Sequence, residues 1–190
     1  PHTVELVSGP GCPVCVTPQR DIERILLLAR SPGVALCSFG DMIRVPGLQT
    51  SLVEERSRGA DVRIVYSPLD ALALASREPE REVVFAAVGF ETTAPGVASV
   101  VLQARERRLA NFSVYASHKL IVPAMKAVLE GASRIEGFIT PGHVSVIIGP
   151  EAYEDVAQHY AAPCVATGFE PSDVLEGIAM VLECIAAKRT

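Results

Sequence analysis

The chain has no tryptophan, and aromatic residues make up only 5% of its 190 positions. Hydrophobic residues nevertheless account for 49% of the sequence, so we expect a core built from Val, Leu, Ile and Ala. Buried strands rich in such residues are typical of a parallel sheet that is covered on both faces. The chain is long enough for one large domain or two small ones, each with a core.

Clusters of basic residues and long apolar runs are also absent. The 17 Lys and Arg residues are outnumbered by 22 Asp and Glu, giving a formal net charge of −5. This balance argues against a nucleic acid as partner. No apolar run reaches the ~18 residues that cross a bilayer, so we expect no membrane partner. Five cysteines with one close pair favour a reducing cytoplasmic location over a disulfide framework.

Several nucleotide-binding and hydrolase motifs are missing. The sequence contains no Gly-x-x-x-x-Gly-Lys-[Ser/Thr] motif, and no Gly-x-Gly-x-x-Gly opens a helix after a strand. Gly9–Pro10–Gly11 does not resemble a phosphate loop, because its proline lacks the backbone N–H that such a loop uses. A Gly-x-Ser-x-Gly nucleophile turn is absent as well.

A pair of cysteines between a predicted strand and a predicted helix is the most informative feature that is present. Val4–Ser8 is predicted to be a strand, and Cys12-Pro-Val-Cys15 follows it. We predict a helix that runs to Arg30, with Thr17 as its N-cap and Pro18 at its first position. The partial positive charge of a helix N-terminus stabilises a thiolate, so one of the two cysteines is expected to have a lowered pKa.

The cysteine pair has more than one interpretation. Cys12 and Cys15 are spaced to form a reversible disulfide or to bind a metal, and the simplest alternative is that they are small buried side chains. A structural zinc site normally has a second Cys/His pair at close spacing. None follows here, because Cys37, Cys164 and Cys184 stand alone.

Strands and helices alternate along the sequence, which predicts parallel βαβ units with right-handed crossovers. The polar segment Glu78–Glu82 is the best candidate for a domain boundary. We predict an α/β fold of two three-layer α/β/α lobes with mainly parallel sheets: residues 1–78, with the Cys-Pro-Val-Cys loop, and residues 79–190. One open doubly wound sheet is the alternative. The predicted strands are Val4–Ser8, Val34–Phe39, Val62–Tyr66, Val83–Val88, Phe112–Ser117, Ile135–Thr140 and Cys164–Thr167.

Unusual polar residues and glycines follow the predicted strands. In open α/β sheets, ligands bind outside the carboxyl ends of the strands, so we expect these residues to line one cleft together with the dithiol. Simpler interpretations are a turn at Asp41, a helix N-cap at Glu91 and its neighbours, and ordinary loop histidines. The candidate ligand-binding residues are Gly11, Asp41, Glu91, Thr92, Thr93, His118 and His143.

A set of motifs in this order resembles the HypD family of [NiFe]-hydrogenase maturation proteins. The first contains Gly-Pro-Gly-Cys-Pro-Val-Cys, and the others carry most of the strand-end residues. As a set they are highly specific, and they recur across the whole chain. They are Glu5–Pro18, Ser38–Gly47, Val88–Pro95, Asn111–Val114, Gly137–Ser145 and Gly168–Pro171.

The resemblance implies a role in assembling the Fe(CN)2CO group of [NiFe] hydrogenases. A protein of this family is a scaffold on which, together with a HypC protein, iron receives carbon monoxide and the cyanide that a HypE protein supplies. The resemblance also implies that Cys12 and Cys15 are a redox-active dithiol that exchanges electrons with a [4Fe–4S] cluster. The Fe(CN)2CO iron would be bound only transiently.

Two family features are not found in this sequence. The Cys-Gly-x-His motif, whose cysteine is a proposed iron ligand, and the cluster-binding cysteines are both missing, so we expect a piece of a longer protein without the [4Fe–4S] cluster. The resemblance therefore assigns no metal ligand to a residue of this chain. A general Cys-x-x-Cys thiol–disulfide oxidoreductase is the main alternative, and activity on generic disulfides would favour it. A small-molecule binding module with incidental cysteines is a weaker one.

Overall fold

A computed structural model describes residues 4–9, 11–131 and 134–189. In these residues parallel strands alternate with helices, which confirms the predicted α/β class. The strands are β1 (Val34–Ser38), β2 (Val62–Ile64), β3 (Glu82–Gly89), β4 (Phe112–His118), β5 (Phe138–Pro141) and β6 (Cys164–Thr167). The helices are α1 (Gln19–Arg30), α2 (Leu52–Ser57), α3 (Pro68–Arg77), α4 (Ala94–Glu106), α5 (Ile121–Glu130), α6 (Gly142–Ile148), α7 (Glu154–Tyr160) and α8 (Pro171–Ala186), with 3-10 turns at Met42–Arg44 and Pro150–Tyr153.

One predicted strand is wrong, and one helix was not predicted. Val4–Ser8 is not a strand: it pairs with no strand among the described residues, and the Leu6 and Val7 side chains are exposed. Its residues favour extended backbone, but a strand is stable only when a neighbour satisfies its N–H and C=O groups. Helix α6 was not predicted, because it follows directly on Pro141. No helix in the described parts of the chain has the length and apolar character needed to cross a membrane.

The chain divides into two compact units. The four-stranded unit comprises residues 12–89 and 93–119, and the two-stranded unit comprises the described residues of 1–11, 90–92 and 120–190. This differs from the predicted division into 1–78 and 79–190, because β3 pairs with β1 and returns the chain to the same sheet. The composition of the polar segment before β3 carries no information about which strand β3 joins.

The sheet of the four-stranded unit has the order β2-β1-β3-β4, and all of its strands are parallel. Successive residues of β1 and β3 face opposite sides, as strand geometry requires. Leu36 and Val84 share one buried cluster with Ile25 of α1. Cys37 and Phe85 lie in a second cluster that includes residues of α3 and α4. This unit therefore has the predicted three layers.

In the two-stranded unit, β5 and β6 are parallel. Phe138 packs into a cluster with Met125 of α5 and Val156 of α7. Helix α8 approaches the sheet closely, because a Cβ atom at Gly177 would overlap the Thr167 side chain. A side chain larger than hydrogen at position 177 would separate α8 from β6.

A buried carboxylate stabilises α2 against α1. Glu55 is only 5% exposed, and its Oε1 accepts hydrogen bonds from Arg30 Nη2 at 3.0 Å and Arg58 Nη1 at 2.9 Å. The hydrogen bond from Arg30 is the main reason why the pKa of Glu55 falls to about 2 from an ordinary value of 4.5. The ionised carboxylate therefore stabilises the folded state above pH ~4.5, and this contribution disappears as the pH falls toward 2.

We expect Glu55→Gln to lower the free energy of unfolding at pH 7 by about 1–3 kcal/mol, because the amide replaces charge-assisted hydrogen bonds with weaker ones. Urea unfolding at pH 7, 4 and 3 measures the difference. The stabilities of the two proteins should converge as the pH falls below ~4.5, because Glu55 becomes protonated in the unfolded wild type while the folded state still has to keep it ionised. A difference that stays constant from pH 7 to pH 3 would show that the charge of Glu55 contributes nothing.

Candidate functional site

Both cysteines of the predicted dithiol are exposed and unbonded to each other. The backbone N–H of Cys15 donates a hydrogen bond to Cys12 Sγ at 3.2 Å. Their exposure contradicts the simplest alternative, that the pair consists of small core residues. Cys37 does have that role: it is fully buried in β1, and burial raises its pKa to about 11.

The loop that carries the dithiol is held by hydrogen bonds within residues 12–17. The Val16 N–H donates to Cys12 O at 3.2 Å, and the Thr17 N–H donates to Val14 O at 3.2 Å. The Thr17 hydroxyl donates to Pro13 O at 2.8 Å. Val14 also packs against the buried cluster beneath α1. The dithiol is therefore exposed on a loop that is itself anchored.

Thr17 is not the N-cap of the helix, as the sequence predicted. Helix α1 begins at Gln19, Pro18 is its N-cap, and no side chain accepts a hydrogen bond there. The Thr17 hydroxyl is instead a donor to the carbonyl of Pro13. The preference of threonine for an N-cap was outweighed by a partner four residues earlier in the chain.

The two thiols differ in acidity. Hydrogen bonds from the thiol and the backbone N–H of Cys15 lower the pKa of Cys12, with a smaller contribution from the Val14 N–H and opposition from the charge of Asp41. The same thiol–thiol contact raises the pKa of Cys15. The predicted lowering is thus found at Cys12, but its causes lie within the loop. Cys12 is the thiol better suited to attack, and Cys15 the one suited to resolve.

A buried carboxylate in the first turns of α1 fixes the helix to β4. Asp21 is 7% exposed, and it accepts hydrogen bonds from Ser117 Oγ at 2.8 Å and Tyr115 OH at 3.0 Å. Lys119 Nζ lies 3.7 Å from Asp21 Oδ2. Burial acts to raise the pKa of Asp21, but these hydrogen bonds and the Lys119 charge together lower it. Because Ser117 is near the end of β4, the start of α1 and the dithiol loop lie at the carboxyl edge of this sheet.

Asp21 was not among the residues predicted from the sequence to belong to the site, although a signal was present. Asp21 precedes Ile25 and Ala29 at four-residue spacing, and all three are buried. A charged residue on the apolar stripe of a helix is rarely buried without a partner. That pattern indicates a paired carboxylate, but it does not identify the residues of β4 that supply the pair.

Three other candidates belong to the same edge of the four-stranded sheet. Asp41 is exposed and begins the 3-10 turn after β1, which is consistent with its interpretation as a turn residue. Thr93 follows β3, and its hydroxyl lies so close to Gly89 that a Cβ atom there would overlap it. His118 ends β4, and its Nε2 is buried without a hydrogen-bond partner among the described residues. Burial, and then the charge of Lys119, lower the pKa of His118, so its ring is neutral at pH 7.

Glu91 and Thr92 belong to the two-stranded unit. Glu91 Oε1 accepts a hydrogen bond from the Ile121 N–H at 2.8 Å, which places the carboxylate at the N-terminus of α5. Its Oε2 is buried and has no hydrogen-bond partner among the described residues. Thr92 is half-buried beside it. Glu91 therefore caps a helix, as the simpler interpretation expected, but the helix is α5 and not α4, which follows Glu91 directly in the chain.

His143 and Gly11 are the remaining candidates. His143 lies in the first turn of α6, after β5, with its ring centroid 5.1 Å from that of Phe169, which follows β6. Phe169 is 75% exposed, and in the sequence it stands out only as part of the motif Gly168–Pro171. Gly11 is exposed, and its N–H donates to Gly9 O at 2.8 Å. Pro10 lies outside the described residues. One cleft that unites the candidates of both units stays a prediction.

No group of three His, Cys, Asp or Glu side chains that could hold a metal ion is found in residues 4–9, 11–131 and 134–189. A [4Fe–4S] cluster is normally bound by four cysteine thiolates. The described residues therefore do not fit that cluster, and the dithiol is the only pair of neighbouring cysteines in the sequence.

Comparison with known proteins gives a consistent result. The sequence model of the HypD family, described as "Hydrogenase formation hypA family", matches residues 1–190. The hydrogenase maturation factor HypD of Rhodobacter capsulatus is 48% identical over 187 residues, which are 98% of this chain and 50% of that protein. The factor of the same name from Escherichia coli (strain K12) is 47% identical over 184 residues, 96% of this chain and 49% of that protein. The HypD of Azotobacter vinelandii is 47% identical over 189 residues, with 96% and 50% covered. The chain thus spans about half the length of these relatives, and it belongs to the HypD family.

Proposed function

We propose that this chain takes part in hydrogenase maturation, as a scaffold and thiol redox component in the assembly of the Fe(CN)2CO group. The observation that carries the proposal is the exposed Cys12–Cys15 pair, whose pKa values are shifted in opposite directions. The relatives that match the chain over nearly its whole length are named hydrogenase maturation factors. The iron that acquires cyanide and carbon monoxide is the substrate of this process.

The proposed thiol chemistry is a reversible two-electron step. When the pair is oxidised, an S–S bond forms between Cys12 and Cys15, and two protons and two electrons leave. When a substrate disulfide is the oxidant, the Cys12 thiolate attacks one of its sulfurs and releases the first substrate thiolate. The Cys15 thiolate then attacks Cys12 Sγ of the mixed disulfide, which forms the Cys12–Cys15 disulfide and releases the second substrate thiolate. The hydrogen bond from the Cys15 N–H to Cys12 Sγ supports this assignment of roles.

The proposed partners are HypC and HypE proteins, and the proposed location is the cytoplasm, where free thiols are maintained. His118, with a neutral ring at pH 7, is the side chain of the four-stranded unit best suited to accept a proton or bind iron there. The remaining strand-end residues, Gly11, Asp41, Glu91, Thr92, Thr93 and His143, are proposed as lining residues of the ligand site.

A general thiol–disulfide oxidoreductase is the second candidate, and the exposure of both thiols favours it. The two candidates differ in turnover on generic substrates. An oxidoreductase of this class reduces insulin disulfides catalytically, whereas a dedicated assembly factor does so slowly or not at all. Dithiol-driven insulin reduction by the purified chain separates them.

We expect a redox titration to show one two-electron transition that links Cys12 to Cys15, with a midpoint potential above about −300 mV, the range of labile rather than structural disulfides. The measurement is alkylation and mass spectrometry in buffers of defined glutathione or dithiothreitol potential. Cys184→Ser should titrate like the wild type, because the proposed disulfide joins Cys12 to Cys15 and does not involve Cys184 in α8. A pair that never forms a disulfide, or one that stays oxidised below that potential, would contradict the proposed reversible thiol redox step.

A further inference from the structure

The side chain of Thr17 is buried beneath an exposed loop. It is 7% exposed, while both cysteines of the loop are exposed. Its hydroxyl donates to the carbonyl of Pro13, which is the residue that directly follows Cys12. At 2.8 Å this is a short, well-formed hydrogen bond. A buried threonine thus fixes one peptide group between the two thiols.

The Pro13–Val14 peptide, which Thr17 holds, also carries an N–H group that affects Cys12. In a trans peptide the C=O and N–H groups point in opposite directions within one plane. The C=O of the Pro13–Val14 peptide points to the Thr17 hydroxyl, so the Val14 N–H points the other way, and it acts as a hydrogen-bond donor that favours the Cys12 thiolate. The Cys15 N–H reaches the same sulfur at 3.2 Å.

The Cys15 N–H is therefore the backbone donor observed within hydrogen-bond distance of Cys12 Sγ, and the Val14 N–H, whose orientation Thr17 sets, adds a smaller lowering of the Cys12 pKa. A hydrogen bond accepted by the carbonyl also polarises the peptide, which strengthens the hydrogen bond that its N–H donates. Thr17 reinforces the geometry a second time, because its own N–H donates to Val14 O at 3.2 Å. Both contacts hold the turn in the form that directs its N–H groups to the first thiol.

We propose that Thr17 is a positioning residue for the dithiol, whose hydroxyl orients the Pro13–Val14 peptide so that Cys12 rather than Cys15 becomes the attacking thiol. This inference rests on the proposed function in that it assumes Cys12 to be the reactive sulfur. The inference goes beyond the proposed function by assigning a role to a residue that touches neither thiol. Thr17 affects only the ionisation of Cys12, and no additional reactant is needed.

The test compares Thr17→Val, which keeps the shape and removes the donor, with Thr17→Ser, which keeps the donor. Iodoacetamide alkylation of Cys12 is followed from pH 5 to pH 10, with mass spectrometry to separate Cys12 from Cys15 and circular dichroism to confirm folding. For Thr17→Val we expect the rate profile of Cys12 to shift to higher pH and the rate at pH 7 to fall about three- to tenfold, the size of one weakened hydrogen bond to a thiolate.

Thr17→Ser should restore the wild-type profile, which a merely structural role of the methyl group would not explain. Thr140→Val is the matched control, because Thr140 is 2% exposed and its hydroxyl has no hydrogen-bond partner among the described residues. If Thr17→Val does not fold, Thr17→Ala provides the same comparison.

The inference is overturned if the Cys12 profile of a folded variant without the hydroxyl coincides with that of the wild type, or if Thr17→Ser shifts it equally. This readout does not involve hydrogenase. If the Cys12 alkylation profile of Thr17→Val is unshifted while hydrogenase maturation still depends on Cys12, only the role of Thr17 is refuted. If the profile of Thr17→Val is shifted but Cys12→Ser still matures hydrogenase, only the proposed function is refuted.

Discussion

Replacing Cys12 with serine is expected to abolish hydrogenase maturation when the substitution is made in the native gene. Serine is close in size, and Cys12 is exposed, so the fold should be unaffected. The hydroxyl, however, forms no disulfide and is not ionised at pH 7. We expect hydrogenase activity in cell extracts to fall to the level of a strain from which the gene has been deleted.

The effect of Cys15→Ser should differ in a way that reveals the order of the two thiols. Maturation is again expected to be lost, but Cys12 remains able to attack a disulfide and has no neighbour to release the product. A mixed disulfide on Cys12 should therefore accumulate in Cys15→Ser and not in Cys12→Ser. Non-reducing electrophoresis and mass spectrometry of the purified variants measure this difference.

Cys37→Ala and Cys184→Ser are the controls for general effects of cysteine loss. Cys37 is buried and its pKa is raised to about 11, so it is inert at neutral pH; its substitution affects only packing. Cys184 lies on α8. Normal hydrogenase activity in both Cys12→Ser and Cys15→Ser would show that the dithiol is not the working site, whatever its redox properties.

The elements of this fold were largely predictable, because their signals are local. Aliphatic runs such as Val83–Val88 identified the inner strands, and Ser51 and Ser67 begin α2 and α3 with capping boxes. The return of β3 to the first sheet was not predictable in the same way. It depends on which edge of β1 has no partner strand, and no residue near the polar segment before β3 indicates which edge that is.

The positions of the candidate residues at the ends of strands were predictable, but their contacts were not. The Cys-x-x-Cys spacing indicated a reactive pair, and position after a strand placed Asp41 and His118 at one sheet edge. The role of Thr17 required knowledge of the turn, because the same residue at the same spacing forms an N-cap in other chains. The contact of His143 with Phe169 joins the ends of two strands, and only their pairing brings the rings together.

Asp21→Ala is expected to give the largest loss of stability of the substitutions considered. The carboxylate is buried and accepts hydrogen bonds from Ser117 and Tyr115. Its removal breaks both and leaves the buried Ser117 hydroxyl without its acceptor. Two charge-assisted bonds of this kind predict a decrease in unfolding free energy of about 3 kcal/mol at pH 7. Urea denaturation followed by circular dichroism measures it.

Two matched variants separate the contributions. Tyr115→Phe removes one of the hydrogen bonds and should cost about 1 kcal/mol. Asp155→Ala removes a carboxylate that forms a surface ion pair with Lys126 and is 62% exposed, so it should change stability much less, as exposed pairs generally do. If Asp21→Ala is no more destabilising than Asp155→Ala, the buried network does not hold α1 to β4.

The pH dependence provides a second, independent check on Asp21. Burial opposes its ionisation, but the hydrogen bonds from Ser117 and Tyr115 and the Lys119 charge outweigh burial, so the pKa of Asp21 in the folded state lies below its ordinary value of 3.8. The stabilisation is then fully present above that ordinary value and is lost as the pH falls through the folded-state pKa. The difference between wild type and Asp21→Asn should therefore be constant from pH 7 to about pH 5 and shrink in stronger acid. The same carboxylate holds the start of α1, and with it the dithiol loop, at the carboxyl edge of the sheet, so acid should loosen that loop before the aliphatic core unfolds.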